Sequence, residues 1–569
     1  MNDSKNLILA VVLSALVLIG WTWAANRYFP TASPPSSKVA AGKQQPLPQP
    51  TAQPAGPTSP KQLQNVSTAL ASSPRVRIQT PSLSGSIDLK GAQIDDLLLL
   101  NQRETIAKNS PPVRLLSPLG APDAYVAQFG WIAAAGGQAP ALDALWTADR
   151  TLLTPGQPVT LSAQTADGTR YTIRISVDDG YLFTIQQSVT NPSNRPLAIR
   201  PIGLVSRSVM SADHSTWQNH TGPIGVFNGK ANYSVDWKDL DQGKAESFDT
   251  DSGWLGFTDK YWLTALAPQA NMTGEFRRSP SGGYQADYAL ATANVAPGQT
   301  LTTETRLFAG AKEKTLLGRY EEAGIPKLSK SIDWGWFEWF MRPIFSLLLI
   351  LFHATGNFGV AIICLTLIVR AIMFPIAQKQ FQSMAGMRKL QPKMKALQER
   401  FKDDKPRQQQ EILKLYQAEK INPAAGCLPI LLQIPVFYAL YKTLLVSVEM
   451  RHQPFVLWIK DLSAPDPLSP FNLFGYAPWT LPAFLAIGVL PIMVGATQWM
   501  SMKLNPQPMD PAQAQVFALM PWFLVFIMAP FAAGLQLYWV TNNLLTIAQQ
   551  WHLYRKYGLH LSDTHPVHT

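Results

Sequence analysis

The chain has 569 residues, 46% of them hydrophobic and only 15% charged, with a net charge of +11 and two cysteines. That length allows three or four average domains, and the low, basic charge fits a membrane protein or a nucleic-acid binder. Cys364 and Cys427 both fall in apolar runs, which excludes a disulfide framework or a thiolate metal site in the long segment before them.

The distribution of apolar residues decides between the two classes. Runs long enough to cross about 30 Å of hydrocarbon lie at 7–25, 359–376, 424–441, 481–502, 511–531 and 534–551. The first run, closed by Trp21 and Trp23, resembles either a cleaved signal peptide or an anchor. It lacks a clean small-x-small cleavage site and is longer than an ordinary signal core, so 1–26 is expected to be an uncleaved transmembrane anchor.

Nine prolines between Pro30 and Pro60 mark 27–74 as a flexible linker that cannot bury a core. From 75 to 325 the texture is that of short strands. In "RYTIRISV", Tyr171, Ile173, Ile175 and Val177 share one face, and "YLFTIQQSV" resumes after the turn "DDG". The pattern predicts antiparallel hairpins and a large β-sandwich. "ADHSTWQNH" places Asp213, His214 and His220 together, but no spacing supports a sugar-handling acid/base site there.

"DWGWFEWFMRPIF" interleaves aromatics with Asp333, Glu338 and Arg342, so 330–356 is expected to hold an amphipathic helix lying in the membrane interface. The second transmembrane helix follows at 357–377. Residues 378–423 read as a basic helical hairpin: Phe381, Met384, Met387, Leu390, Met394, Leu397 and Phe401 mark one face. Pro392 is expected to kink or shorten its first arm. Transmembrane helices are then expected at 424–446, 481–502, 511–531 and 534–555, with a loop at 447–480 and a tail at 556–569.

Charge sets the sidedness. Residues 378–423 carry eleven Lys or Arg against five acids, whereas 447–480 carry two against three. The hairpin and both termini are therefore expected in the cytoplasm and the β-domain in the periplasm of a bacterial inner membrane. The fold class expected is an α-helical polytopic membrane protein with six transmembrane helices and a large periplasmic all-β domain.

Within the spans, Thr366 and Arg370 lie four residues apart on one helix face. Gln433 precedes Phe437 by one turn, and the last span carries Gln536, Trp539, Asn542 and Asn543. Polar groups inside a bilayer usually face protein or a wet cavity, so the three helices can line one partly basic groove. The blander readings are that Arg370 snorkels to the headgroups, that the amides are interhelical glue, and that Trp539 packs. Lys442 is expected to snorkel at the outer surface. The tail histidines His560, His565 and His568 are expected to be solvated. No phosphate loop, nucleophile elbow or HExxH occurs, and neither a cofactor nor a nucleic-acid substrate is expected.

Four stretches carry a family resemblance. "LIVRAIMFPIAQKQFQSMAGMRKLQPKMKAL", "YQAEKINPAAGCLPILLQIPVFYALY", "LWIKDLSAPDPLSPFNLFG" and "GLQLYWVTNNLLTIAQQ" closely resemble the YidC membrane protein insertases over roughly 330–557. The anchor, linker and β-domain are similar to the longer, Gram-negative type. The resemblance implies a five-helix insertase core with a hydrophilic groove open to cytoplasm and lipid. It implies that Arg370, Thr366, Gln433, Phe437, Trp539 and Asn543 belong to the substrate groove, and that the hairpin, with Met384, Met387 and Met394, captures substrates. It further implies a supersandwich of the galactose-mutarotase type, and nascent membrane proteins, the Sec translocon, the ribosome and the lipid bilayer as partners. An anion transporter or channel using Arg370 is the alternative of another class, although no internal repeat supports it.

Overall fold

A computed structural model describes residues 64–134, 137–212, 219–279, 282–402, 404–419, 428–476, 486–504 and 511–556. The expected anchor at 1–26, most of the linker, Asp213, His214, Cys427 and the tail histidines lie outside the described residues. The chain divides into two units, Met1–Trp336 and Phe337–Thr569.

In the first unit the described strands form an eleven-stranded and a nine-stranded sheet. The hairpin read from sequence is present: Arg170–Val177 pairs antiparallel with Leu182–Thr190, Ile175 opposite Ile185. Tyr171, Ile173, Ile175 and Val177 are all buried while the residues between them are not. The turn is locked because Asp178 Oδ1 accepts from the N–H of Gly180 and of Leu182, and Tyr320 donates its hydroxyl to Asp178 Oδ2. The same hydroxyl accepts from Tyr181 N at 3.0 Å, and a Cβ on Gly180 would lie 2.1 Å from it, so only glycine fits. Gln187 of the nine-stranded sheet donates to Gly130 O of the other at 2.8 Å, and Tyr288 and Thr305 share a second buried hydrogen bond between the sheets.

The second unit is helical. Its elements are α1 (Glu338–Thr355), α2 (Phe358–Arg400), α3 (Lys405–Ala418), α4 (Leu428–Val446), α5 (Val489–Leu504), α6 (Pro511–Met528) and α7 (Ala533–Lys556). Gly356, at φ 70°, ends α1 in the left-handed conformation, and its N–H donates to Phe352 O. Asn357 then caps α2 by accepting from Val360 N, so two residues reverse the chain. Among the described residues, only Phe358–Gln378 in α2 is long and apolar enough to cross a membrane. Gln515–Met528 is a shorter apolar helix.

Several boundaries differ from expectation. The second span and the first hairpin arm are one helix, which runs without interruption from Phe358 to Arg400 through Pro375 and Pro392. Each proline removes one backbone hydrogen bond, while Leu390 and Met394 on either side of Pro392 are buried and favour the continued helix. The break falls after Arg400, where Asp404 caps α3 by accepting from Arg407 N and Lys393 pairs with Glu419 across the two arms.

α1 does not stand apart as a surface helix. Met341, Phe345 and Leu348, at helical spacing, are buried. Residues from Phe337 to Leu347 share an apolar cleft of about 530 Å3 with Leu365–Ile376 and with Pro435 and Val436, which sets α1 beside α2 and α4. An apolar stripe of that kind needs a protein partner as much as a membrane surface.

α5 begins at Val489, later than the expected 481. The buried Asp466 accepts from Trp458 Nε1, Leu468 N and Leu490 N, fastening the segment after α4 to the start of that helix. Instead of snorkelling, Lys442 is 2% exposed, and Ser447, Val448 and Met450, which follow α4, are buried as well. Gln536, buried, donates to Met528 O and Phe531 O and closes the joint between α6 and α7.

Candidate substrate groove

Arg370 does not snorkel. Its Nε donates to Asn542 Oδ1 at 2.8 Å, and its Nη2 donates to Asn542 O at 3.3 Å and Thr546 Oγ1 at 2.6 Å. One edge of the guanidinium is thus clamped to α7. Among the described residues the clamp holds no carboxylate and no acceptor meets Nη1, so the charge stays uncompensated and the two N–H donors of Nη1 are left over. Arg370, Asn542 and Thr546 are all half-buried.

A second polar contact lies beside the clamp. Gln433 Nε2 donates to the hydroxyl of the buried Tyr538, which lies close enough to Arg370 for the two to act on each other electrostatically. Tyr538, Asn542 and Thr546 are each four residues apart and form one stripe of α7 facing α2 and α4.

The neighbouring stripe does something else. Trp539 meets Phe437 edge to face at 4.9 Å and 77°, and its Nε1 donates to Gln498 Oε1 of α5 at 3.4 Å. Tyr441 extends the aromatic run from Phe437 to Phe531. Asn543 is buried and donates to Thr497 Oγ1 of α5, which takes it away from Arg370 and makes it a helix–helix tie. Thr366 is 1% exposed, with its hydroxyl spent on Ile362 O, so it backs Arg370 from within its own helix and does not line the surface.

The structure therefore brings together Arg370, Gln433, Phe437 and Trp539, and sends Thr366 and Asn543 elsewhere. Sequence reasoning passed over Tyr538 and Thr546 and preferred Asn543 to Asn542 as a groove residue. The four-residue spacing of 538, 542 and 546 was the available signal. On the hairpin, Met394 is buried, which leaves it no free face for capture, and the side chains of Met384 and Met387 lie outside the described residues.

Among the described residues no group of three His, Cys, Asp or Glu is arranged to hold a metal. His220 in the first unit is half-buried, its Nε2 donating to Pro223 O at 2.7 Å, and desolvation pushes its imidazole below its ordinary pKa. Its visible role is that of a structural donor.

Comparison with known proteins extends these findings. The family model described as the YidC periplasmic domain matches residues 75–347, and that described as the 60Kd inner membrane protein matches 350–559. A membrane protein insertase YidC of Zymomonas mobilis is 46% identical over 98% of this chain and 96% of its own. One from Bradyrhizobium diazoefficiens is 43% identical over 98% of this chain and 97% of its own. Among solved structures, an active YidC insertase with its first transmembrane domain resolved is 18% identical with a TM-score of 0.36, covering 84% of this chain and 92% of that one. A galactose mutarotase related enzyme from Lactobacillus acidophilus aligns with 41% of this chain and 97% of its own at a TM-score of 0.29.

Proposed function

The chain belongs to the YidC membrane protein insertase family, and we propose that Arg370 and the aromatic stripe beside it form the site where it receives its substrates. As an insertase of the bacterial inner membrane, it acts on hydrophobic segments of nascent membrane proteins and releases them into lipid. The single observation that carries the site assignment is the half-clamped Arg370, a cation set in an apolar helical unit with neutral partners and Nη1 outside the clamp.

A client must pull a short polar segment across hydrocarbon, and each unpaired polar group costs several kcal/mol there. A wet groove at Arg370 and Gln433 shortens the dry path, and the guanidinium attracts acids in the arriving segment. The client's apolar span then moves out along Phe437 and Trp539. Burial of its own apolar surface in lipid drives the last step, so no nucleotide is consumed.

Six crossings are proposed, with both termini in the cytoplasm and the β-rich domain in the periplasm. The excess of basic residues in 378–423 supports this sidedness. The hairpin of α2 and α3 is proposed to capture clients, with the ribosome and the Sec translocon as partners. The near full-length match to insertases favours this reading over an anion transporter.

The test is reconstitution of this protein alone in phosphatidylethanolamine–phosphatidylglycerol vesicles. Insertion of a small single-span client without accompanying anion flux is expected. Anion flux without insertion would overturn the reading.

A further inference from the structure

We infer that Asn542 and Thr546 are positioning residues that set the groove's client preference by holding Arg370 without neutralising it. The inference rests on the proposed receiving role of Arg370 and adds which residues tune it.

An arginine inside a helical membrane protein pairs with an acid or with backbone carbonyls. A guanidinium paired with an acid is a strut, with its charge spent within the protein. Here α7 offers an amide oxygen, a main-chain carbonyl and a hydroxyl in place of a carboxylate. Each accepts a hydrogen bond and none carries a charge. Thr546 donates its own hydroxyl proton to Asn542 O at 2.7 Å, which aims its lone pairs at Nη2. The clamp thus fixes which guanidinium edge faces α7 and leaves the delocalised charge uncancelled, with Nη1 outside the clamp. An acid in a client is the anion that Nη1 suits, because a carboxylate oxygen accepts a charge-assisted hydrogen bond from its two N–H donors.

The geometry supplies a near-isosteric test. In Asn542→Asp the oxygen that Nε already contacts becomes a carboxylate, and the guanidinium acquires an internal counter-ion with little change in shape. The full-length protein would be reconstituted in phosphatidylethanolamine–phosphatidylglycerol vesicles with two single-span clients. One client has an acidic outer tail, and the other has the same tail with its acids changed to amides. The ratio of acidic-client to amide-client insertion is expected to fall about tenfold or more in Asn542→Asp, since one unit charge is cancelled at contact distance. Asn542→Ser keeps a neutral acceptor and is expected to retain the wild-type ratio.

A merely structural role predicts a different result: both clients lose insertion in proportion, and the ratio stays fixed in every variant. That outcome overturns the inference. So does a ratio that falls equally in Asn542→Ser. Where Asn542→Asp does not fold, Thr546→Val provides the second variant. It removes the acceptor that fixes Nη2, and an unchanged client ratio there also counts against the inference. Arg370→Ala serves as the separate control on the underlying reading. If it leaves the acidic client unaffected, the receiving role itself is wrong, whatever Asn542→Asp does.

Discussion

Replacing Arg370 by Met separates a receiver from a strut, because the two roles differ in what they do to stability. Met keeps much of the apolar stem and removes the guanidinium. Three hydrogen bonds to α7 are lost. Side-chain hydrogen bonds between membrane helices average about 0.6 kcal/mol each, so their loss costs about 2 kcal/mol. Against this, an arginine near the middle of a membrane helix disfavours insertion by about 2.5–3.5 kcal/mol, a penalty that the substitution relieves. The opposing effects nearly cancel, and the folded helical unit is expected to shift by only about 1 kcal/mol.

Client insertion should behave quite differently. Arg370→Met is expected to lose insertion of the acidic-tailed client, while Arg370→Lys, which restores a charge, retains most of it. The assay is protection of the client's tail inside vesicles, run beside thermal unfolding of each variant in detergent. A large drop in unfolding temperature for Arg370→Met, with equal loss for every client, would refute the reasoning. So would equal insertion by all three proteins.

Two other predictions test parts of the same structure. Gln433→Leu and Tyr538→Phe remove the two ends of one hydrogen bond, so a double-mutant cycle on unfolding should show coupling of about 0.6–1.7 kcal/mol; simple additivity would mean the bond contributes nothing. In the first unit, Gly180→Ala drives a methyl into the Tyr320 hydroxyl and should destabilise that unit by about 2–3 kcal/mol in chemical denaturation. Adding Tyr320→Phe should restore part of the loss, and a double variant worse than either single one would contradict the steric account.

Much of the fold was legible because its signals are local. Alternation in "RYTIRISV" names a buried face, and the run after Asn357 names a helix, since both follow from a fixed angular repeat. What the sequence hid depends on the surroundings of each residue. Lys442 looks like a snorkelling end residue, yet the folded helical unit leaves it only 2% exposed. Pro392 looks like a helix breaker until burial of Leu390 and Met394 is set against one lost hydrogen bond. At the groove, Arg370, Gln433, Phe437 and Trp539 were found as polar or aromatic exceptions in apolar runs. The choice between Asn542 and Asn543 was different, because adjacent residues on a helix point about 100° apart and only the packing of α7 decides which one faces α2.

That angular offset also bears on how the site works. α7 presents Tyr538, Asn542 and Thr546 to Arg370 and Gln433, and one residue further round it presents Trp539 to Phe437. A polar stripe and an aromatic stripe therefore lie side by side on one helix. A single-span client has the same division along its length, a polar tail followed by an apolar span. The tail needs hydrogen-bond partners and a counter-charge while it crosses, and the span needs only an apolar surface to leave by. With both stripes on one rigid helix, the tail can be held while the span is already in contact with its exit. Separating the two by mutation should therefore uncouple capture from release: loss at Arg370 abolishes entry of the acidic tail, whereas Trp539→Ala should leave entry intact and slow departure into lipid. Crosslinks from Phe437 to a stalled client would accumulate in the second variant and disappear in the first. The opposite pattern would place the first contact on the aromatic stripe.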